Sequence, residues 1–306
     1  MRNVLSIDVE EHFQVHNFEG VVRRAEWDRY PSRVVENTRR ILRLLAERDV
    51  HATFFVLGWV ADRQPHLVRE IREGGHEVAT HGYWHELIYR QTREQFTADL
   101  GQSLDAIERA CGVRPTGYRA PCFSITRESL WAVDILRDLG IRYDSSIFPP
   151  VAHDRYGLKG ASRFASRLPN GIWEIPVSTV RLARQNWAVA GGGYFRLYPL
   201  WATRLAIRHL NAQGHPAVVY LHPWEFDPGQ PRIPGASRLS RFRHYVNLDE
   251  TEDRLRALLR EFEFGSMGEA FAPLLEKVDV VSREFVSSTT PALCSSVTHE
   301  EPNDGT

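Results

Sequence analysis

Short apolar runs alternate with longer amphipathic segments along most of this chain. Residues 4–8 form an apolar run that ends in acids, and residues 52–57 form a β-branched and aromatic run closed by Gly58. Both runs are typical of buried strands. Apolar side chains recur at helical spacing over about 33–48, which predicts an amphipathic helix. The same signals predict further helices over about 65–73, 92–111, 126–139, 199–213 and 249–262, and further strands over 77–80, 117–119, 141–144, 173–177 and 217–221.

The repeated strand–helix order predicts the fold class. Units of this length favour an α/β protein with a parallel sheet and helices outside it, as either an open sheet or a barrel. Residues 149–171 are irregular and polar, and residues 227–240 are rich in proline and glycine, so both predict surface excursions. Residues from about 287 to 306 are rich in Ser, Thr, Pro and acids, which predicts disorder. We therefore expect one folded domain over 1–275 and a tail over 276–306.

Composition and charge exclude some classes of protein. The 306 residues are 42% hydrophobic and carry a formal net charge of -1, so the chain lacks the basic surplus of an electrostatic nucleic-acid binder. Three cysteines without a CxxC pair argue against a disulfide framework or a zinc ribbon. The first residues run directly into the strand over 4–8 rather than into a leader, and no apolar run approaches the ~20 residues of a membrane helix. We therefore expect a reduced, cytoplasmic protein that does not bind nucleic acid.

Ionisable side chains cluster just after the predicted strands. In parallel α/β folds the carboxyl ends of the strands form one edge of the sheet, and catalytic groups gather there. Several segments place such groups at this edge independently, which chance placement does not readily explain. These residues are Asp8, Glu10 and Glu11 after the first strand, His81 and His85 after the third, Arg119 after the fourth, Asp144 after the fifth, and His222 after the strand over 217–221.

The pair His81 and His85 is the most specific local signal. Histidines four residues apart on a helical turn lie on one face and reach a single metal ion together. Because the chain has 13 histidines, two unrelated surface histidines remain the alternative. A carboxylate completes a His-His-acid set, and Asp8, Glu10 and Glu11 are the candidates.

Two of these acids suit separate roles, one as metal ligand and one as general base. Asp8 and Glu10 are two residues apart, so on a strand their side chains share a face. One can bind the metal while the other acts as general base on water, although a plain acidic loop is the alternative. His222 follows a buried strand, where a histidine suits a general acid for a leaving amine; a lone histidine there is more often structural.

Five segments, taken together and in order, resemble the motifs of the NodB-like polysaccharide deacetylases, which form carbohydrate esterase family 4. They are the strand end at 6–10, H-G-Y-W-H at 81–85, R-A-P-C-F at 119–123, D-S-S at 144–146 and L-H-P at 221–223. The resemblance covers about residues 4–225. Three further segments resemble the subfamily found with exosortase/PEP-CTERM exopolysaccharide loci in bacteria, namely 191–196, 222–228 and 242–245.

The resemblance implies a distorted, incomplete (β/α) barrel over 1–275, into which a C-terminal extension of about 226–275 is integrated. It implies metal-dependent hydrolysis of N-acetyl groups from an amino-sugar polysaccharide or its lipid-linked precursor, in exopolysaccharide biosynthesis. The implied metal is zinc, with Co²⁺ and Ni²⁺ as alternatives. The implied partners are the amino-sugar glycan and, peripherally, membrane-bound exopolysaccharide machinery.

The resemblance also assigns the metal ligands. Glu10, His81 and His85 are the implied ligands, and Glu11 is the rival acid. The rivalry arises because the family's adjacent Asp-Asp is spread over residues 8–11 in this chain. A glutamate ligand is one methylene longer than the usual aspartate, which can alter the preference for a metal.

The remaining roles follow from the other motifs. Asp8 is the implied base, and Arg119 pairs with it. His222 is the implied acid, and Asp144 orients it. A backbone N–H near Phe123 is the implied donor to the oxyanion. For Arg119 and Asp144, a structural salt bridge elsewhere in the protein is the alternative.

Four aromatic residues are candidates for walls on which a sugar ring stacks, although the same positions suit the core: Trp84, Phe123, Tyr194 and Trp224. The glycine run at 191–193 suits either a close approach of a loop to the substrate or a plain flexible turn. Two rival functions stay open. One is hydrolysis of another C–N bond in a small ureide, as in the allantoinase-like branch of the superfamily, and the other is carbohydrate binding without catalysis.

Overall fold

The computed structural model describes residues 1–149, 158 and 160–276. The tail with predicted disorder from about 287 and a part of the predicted excursion over 149–171 lie outside these residues. No helix of the described part is long and apolar enough to cross a membrane.

The strands and helices follow the predicted alternation over most of the chain. The strands are β1 (Asn3–Val9), β2 (Thr53–Val56), β3 (Glu77–Thr80), β4 (Gly117–Tyr118), β5 (Tyr143–Asp144), β6 (Ser166–Arg167), β7 (Trp173–Glu174), β8 (Thr179–Leu182), β9 (Gln185–Ala188), β10 (Val218–Leu221) and β11 (Phe264–Gly265). The helices are α1 (Val34–Ala46), α2 (Gly58–Arg63), α3 (Pro65–Glu73), α4 (Arg93–Cys111), α5 (Ala132–Asp138), α6 (Gly192–Leu197), α7 (Leu200–Ala212), α8 (Arg238–Tyr245), α9 (Thr251–Glu261) and α10 (Met267–Ala270).

One sheet organises the molecule. Its order is β10-β1-β2-β3-β4-β5-β7-β6, and β11 also pairs with β1. All of these pairs are parallel except β6 with β7, so the carboxyl ends of the parallel strands meet at one edge. The sheet curls into the distorted, incomplete (β/α) barrel that the resemblance implied, which confirms the expected fold class.

Strand β1 lies between β10 and β2 and also pairs with β11. All seven of its residues are buried, which is typical of a parallel strand covered on both faces. Its polar residues are satisfied within the fold: Ser6 Oγ donates to Val219 O at 3.1 Å, and Asn3 bonds to Asn211. The strand is therefore a rigid support for the acids that follow it.

Helix ends agree with their local signals. Thr92 and Gln95 form a reciprocal capping box at the start of α4, and Gly112 ends that helix with a positive φ of 74°. Helix α1 buries a stripe that includes Ile41 and Leu45, each fully buried. Such burial contributes roughly 1.5–3 kcal/mol per side chain.

Several elements differ from the sequence prediction. The helix over 126–139 begins only at Ala132, because residues Arg127–Ser129 form a separate 3-10 turn in which Ser129 Oγ donates to Ser124 O. The hairpin β8–β9 and helix α6 were missed. Helix α8 was missed as well, because its first turn falls in the proline- and glycine-rich stretch over 227–240.

The glycine run at 191–193 is not a plain flexible turn. Gly191 has a φ of 113° and pairs with Tyr220 of β10 as an isolated parallel bridge. A Cβ at Gly191 would lie 2.1 Å from Tyr220 O, so only glycine permits this approach. Helix α6 follows directly, and Gly192 and Gly193 then line the cavity described below.

Candidate active site

A cavity of about 390 Å³ opens at the carboxyl edge of the sheet. Its walls include the five residues that the resemblance assigned as metal ligands, base and acid: Asp8, Glu10, His81, His85 and His222. The remaining walls come from the loop after β1, the turn after β4, and helices α6 and α8. The strand ends therefore converge on one space.

The group with metal-ligand spacing consists of Glu10, His81 and His85. One ligand atom of each lies within 4.8 Å of the other two. The expected helical turn is wrong: residues 81–87 contain no helix, and Gly82 and His85 have positive φ angles of 75° and 53°. This loop, rather than helical spacing, brings the two imidazole centroids to 5.3 Å.

Glu11 does not join the ligand group. Its carboxylate accepts hydrogen bonds from the Ser32 hydroxyl and, at 2.9 Å, from the Arg33 backbone N–H. Arg33 directly precedes α1, where backbone N–H groups lack partners within the helix. The geometry therefore places Glu10, not Glu11, beside the two histidines.

The three side chains fit a divalent metal. His81 Nδ1 donates to Arg119 O at 2.8 Å, which directs Nε2 into the cavity, and burial lowers the pKa of His81 to about 4, so the ring is neutral. Burial raises the pKa of Glu10, but the neighbouring histidines, above all His85, together lower it to about 2. Glu10 Oε2 lies 2.7 Å from His85 Nε2 and makes no aligned hydrogen bond to a described residue. Two imidazoles and a carboxylate with an orphaned oxygen suit a metal with open positions.

Asp8 lies beside this group and is held by a buried arginine. Arg119 donates to Asp8 Oδ1 at 2.7 Å, to Ser6 Oγ at 2.9 Å and to Ser145 Oγ at 3.0 Å. Arg119 therefore pairs with Asp8, as the resemblance implied. The other oxygen, Asp8 Oδ2, lies 3.9 Å from His222 Nε2. One oxygen is thus fixed by a charge-assisted hydrogen bond, and the carboxylate still reaches the cavity.

His222 is oriented by a carboxylate, and that carboxylate is Glu225. His222 Nδ1 lies 2.5 Å from Glu225 Oε1, and Glu225 Oε2 accepts from Arg196 Nε at 2.8 Å. Burial lowers the pKa of His222, but the hydrogen bond to Glu225 and the surrounding carboxylates raise it more, to about 9. His222 therefore holds a proton on the nitrogen that faces the cavity.

Trp224 supports both the ligand group and His222. Its Nε1 donates to Glu10 Oε1 at 3.0 Å. Its ring stacks between His222 and His244, with centroid distances of 5.0 Å and 4.2 Å. Trp224 lines the cavity, but these contacts fix the orientation of neighbouring side chains rather than leave an open face for a sugar.

Asp144 lies outside this arrangement. It accepts a hydrogen bond from Ser146 and shares one with Glu174 of β7. Burial raises the pKa of Asp144 to about 6, and burial and the charge of Asp144 raise the pKa of Glu174 well above its usual value. The pair therefore retains a proton at neutral pH. The implied role of Asp144 in orienting His222 is wrong, because its partner is another carboxyl group.

Glu174→Gln is expected to flatten the pH dependence of stability. The folded protein holds protons on Asp144 and Glu174 that the unfolded chain releases near its ordinary carboxyl pKa, so the free energy of unfolding falls as the pH rises through about 6. Glutamine keeps the hydrogen bonds without the titrating proton, so this fall shrinks. Urea unfolding at about pH 5 and about pH 8 measures it. Glu128→Gln, at an exposed acid, is the control; equal slopes in both variants would contradict the shared proton.

The aromatic candidates separate into two groups. Three of them line the cavity, namely Phe123, Tyr194 and Trp224. Trp84 does not, and its expected role as a sugar wall is wrong. Its ring instead lies 6.2 Å from Trp27, with the guanidinium of Arg24 5.3 Å from its centre.

The turn Pro121–Phe123 forms another part of the wall. Cys122 and Phe123 both have a φ of 53°, which costs about 1–3 kcal/mol per residue and is typical of functional sites. The Phe123 N–H donates to Ala120 O at 3.0 Å and is therefore already used within the turn. An oxyanion donor close to this turn stays a prediction.

Sequence reasoning missed the support behind His222. The signal was present: Glu225 follows His222 by three residues, and side chains three apart lie one above the other on a 3-10 turn such as Pro223–Phe226. The buried partner Arg196 gave no such signal, because it reaches the site from α6, far away in the chain. Among the rim residues contributed by α6 and α8, Tyr194 was predicted, whereas Leu197, Phe242 and Arg243 were not assigned to the site.

The chain matches two family models that together span most of the described structure. Residues 26–143 match the model described as polysaccharide deacetylase. The chain carries a polysaccharide deacetylase domain. Residues 145–272 match a model described as a domain of unknown function (DUF3473). The deacetylase match contains the two metal-site histidines and Arg119, while His222, Glu225 and Arg196 fall in the second match, so both segments build the site.

Curated relatives match this deacetylase domain over part of their length. The chain is 30% identical to peptidoglycan-N-acetylglucosamine deacetylase of Bacillus cereus over 101 residues, which are 33% of this chain and 37% of the relative. It is 34% identical to chitooligosaccharide deacetylase of Rhizobium leguminosarum bv. trifolii over 99 residues, which are 32% of this chain and 43% of the relative. The chain therefore spans less than half the length of these relatives.

A solved structure supports the fold over nearly the whole chain. A crystal structure from Mycobacterium smegmatis superposes with a TM-score of 0.59 at 21% identity, covering 98% of this chain and 94% of the other. The similarity therefore extends beyond the deacetylase domain to the segment that contributes α6 and α8.

Proposed function

We propose that this protein is a metal-dependent deacetylase that hydrolyses an N-acetyl group of an amino-sugar glycan. The observation that carries the proposal is one cavity that holds a metal-ligand group, a carboxylate fixed by Arg119 and a histidine fixed by Glu225. These are a base and an acid beside a site for a Lewis acid, a combination that suits metal-assisted hydrolysis of an amide. The names of the relatives support an N-acetylated amino-sugar substrate.

The ligand group and the two proton carriers have separate tasks. A divalent metal held by Glu10, His81 and His85, zinc in our proposal, supplies Lewis-acid activation of water and of the acetyl carbonyl. Asp8 takes a proton from the attacking water as the oxygen bonds to the carbonyl carbon. His222 gives the proton on Nε2 to the nitrogen as the C–N bond breaks. Acetate and a free amine are the products.

The surrounding residues hold these two groups in place. Arg119 donates a charge-assisted hydrogen bond of 2.7 Å to Asp8 Oδ1, which fixes that oxygen and leaves Oδ2 towards the cavity. Glu225 accepts from His222 Nδ1 and so keeps the second proton on the nitrogen that faces the cavity. The same geometry therefore prepares one group to accept a proton and the other to donate one.

The cavity also suits a sugar. Its volume of about 390 Å³ lies within the range of small-ligand sites, ~300–1,000 Å³. Phe123, Tyr194 and Tyr220 contribute aromatic rings to its wall, and such rings stack on the apolar face of a sugar. We propose an exopolysaccharide, or its lipid-linked precursor, as the substrate.

An acetate-release assay with controlled metal content tests the proposal. Metal-depleted protein is supplied in turn with Zn²⁺, Co²⁺ and Ni²⁺ and given N-acetylglucosamine oligomers, a lipid-linked amino sugar or allantoin. Acetate release that depends on metal is expected. His85→Ala abolishes it together with metal binding, whereas His66→Ala, at an exposed histidine, leaves both intact.

Two outcomes would replace this proposal. Consumption of allantoin without acetate release from any glycan would identify a ureide hydrolase. Binding of glycans by the metal-loaded protein without turnover would identify an inactive carbohydrate-binding relative.

A further inference from the structure

Helix α8 presents an exposed apolar pair beside the cavity. Leu239 and Phe242 are 57% and 55% exposed, and residues three apart on a helix are neighbours on one face. Phe242 also lines the cavity, together with Leu197 of α6, which is 49% exposed. Adjacent exposed apolar side chains at the edge of a pocket are typical of a contact surface.

Three arginines surround this pair. Arg238, Arg241 and Arg243 are exposed, and no acidic side chain of the described residues lies within ion-pair distance of any of them. At 100° per residue, Arg238 and Arg243 lie on opposite sides of the apolar pair. The chain as a whole has a net charge of -1, so this positive charge is a local feature of α8.

We propose that this face of α8 docks on an anionic lipid surface. The docking face consists of Leu239 and Phe242 flanked by Arg238 and Arg243, and Arg241 lies at its margin, about 60° beyond Arg238. A basic helix with apolar side chains on its exposed face lies in the membrane interface, where the apolar groups enter the headgroup boundary and guanidinium groups bind lipid phosphates. Charge complementarity therefore selects an anionic bilayer as the occupant.

A second copy of the chain fits this face less well. A two-fold contact brings the same surface of both copies together, so the three arginines of one copy would face those of the other. No acidic residue within Arg238–Tyr245 is present to compensate that repulsion. A lipid surface supplies the opposite charge without such a conflict.

Docking in this orientation has a consequence for the cavity. Phe242 and Arg243 belong both to the docking face and to the wall of the cavity. A membrane bound at this face therefore lies next to the cavity wall, which brings a substrate anchored in that membrane close to the cavity. The inference concerns membrane binding alone and goes beyond the proposed deacetylation.

Co-sedimentation of the full chain with vesicles tests the docking face. We expect binding to vesicles of equal parts phosphatidylcholine and phosphatidylglycerol, and no binding to phosphatidylcholine alone. Binding falls with salt, because the Debye length shortens from ~8 Å at physiological ionic strength to ~3 Å at ~1 M. Arg238→Glu with Arg241→Glu weakens binding more than about ten-fold.

Matched variants distinguish binding through the docking face from a general effect of the protein's net charge. Arg69→Glu with Arg72→Glu makes the same change in charge on exposed positions of α3 and leaves binding as in the wild type. Leu239→Ser with Phe242→Ser removes the apolar pair without changing charge and also reduces binding. Melting curves establish that each variant is folded.

Three results would overturn the proposal. They are absence of binding to the anionic vesicles, equal loss in the α3 and α8 charge variants, and a dimer in solution that Leu239→Ser with Phe242→Ser dissociates while vesicle binding is absent. The last result would assign the face to a second copy. Acetate release from a soluble oligomer, measured alongside, reports on the proposed deacetylation separately, because Arg238 and Arg241 do not line the cavity.

Discussion

Asp8→Asn is expected to lower kcat for deacetylation by about 10²- to 10⁴-fold, the usual contribution of a general base. The amide oxygen of asparagine still accepts the hydrogen bond that Arg119 donates at 2.7 Å, so the local geometry is retained while the ability to take a proton is lost. Metal content stays unchanged, because Asp8 lies outside the group formed by Glu10, His81 and His85. Steady-state kinetics and metal analysis of the purified variant measure both quantities.

The control for Asp8 is an acid with no role at the cavity. Asp105 is exposed and pairs with Arg114 on the surface, so Asp105→Asn leaves kcat as in the wild type. An unchanged kcat in Asp8→Asn would remove the base from the mechanism. Loss of metal from Asp8→Asn would instead make Asp8 a ligand and contradict the geometry of the site.

Glu225→Gln is the second change with a large expected effect. Glutamine removes the charge that holds the proton on His222, and it leaves Arg196 as a buried guanidinium without its acidic partner. Breaking such a pair costs about 3–5 kcal/mol of stability. We expect kcat to fall at least about ten-fold with little change in KM, because a positioning residue acts on the proton transfer rather than on binding.

Two comparison variants make this expectation specific. Asp144→Asn alters the residue that the family resemblance assigned to the same task, and it should change kcat much less than Glu225→Gln. Glu250→Gln breaks another glutamate–arginine pair, with Arg254, but Glu250 is 53% exposed and the expected loss of stability is below about 1 kcal/mol. A larger kcat effect in Asp144→Asn, measured where both variants are folded, would contradict the assignment to Glu225.

Much of the fold was predictable because its signals are local. Helices α1, α3 and α4 and strands β1, β2, β3 and β10 lie within about two residues of their predicted limits, since periodicity, glycine stops and caps operate over one or two turns. The hairpin β8–β9 and helix α8 were not predicted. Strands β8 and β9 are largely exposed or half-buried, so apolar periodicity indicates them weakly, and the first turn of α8 lies in the proline- and glycine-rich stretch.

The sequence predicted which strand ends carry the residues of the candidate site. It did not predict the direction in which each side chain points. Glu10 and Glu11 are adjacent, and their roles depend on whether a carboxylate faces the cavity or the start of α1. His222 pairs with Glu225, three residues further along the chain, whereas Asp144 is held by Ser146 and Glu174. Such choices depend on which polar groups burial leaves without partners.

Local patterns in the chain were sufficient to predict an α/β fold and to place ionisable groups at one edge of a parallel sheet, because the positions and ends of the strands follow from short-range signals. The identity of the third metal-site residue, the partner of His222 and the wall formed by α6 and α8 arose from folding. In each case the decisive contact joins segments far apart in the chain, as when Arg196 of α6 meets Glu225 beyond β10 at 2.8 Å. Burial then makes such a contact obligatory, because an unpaired charge in that position is costly.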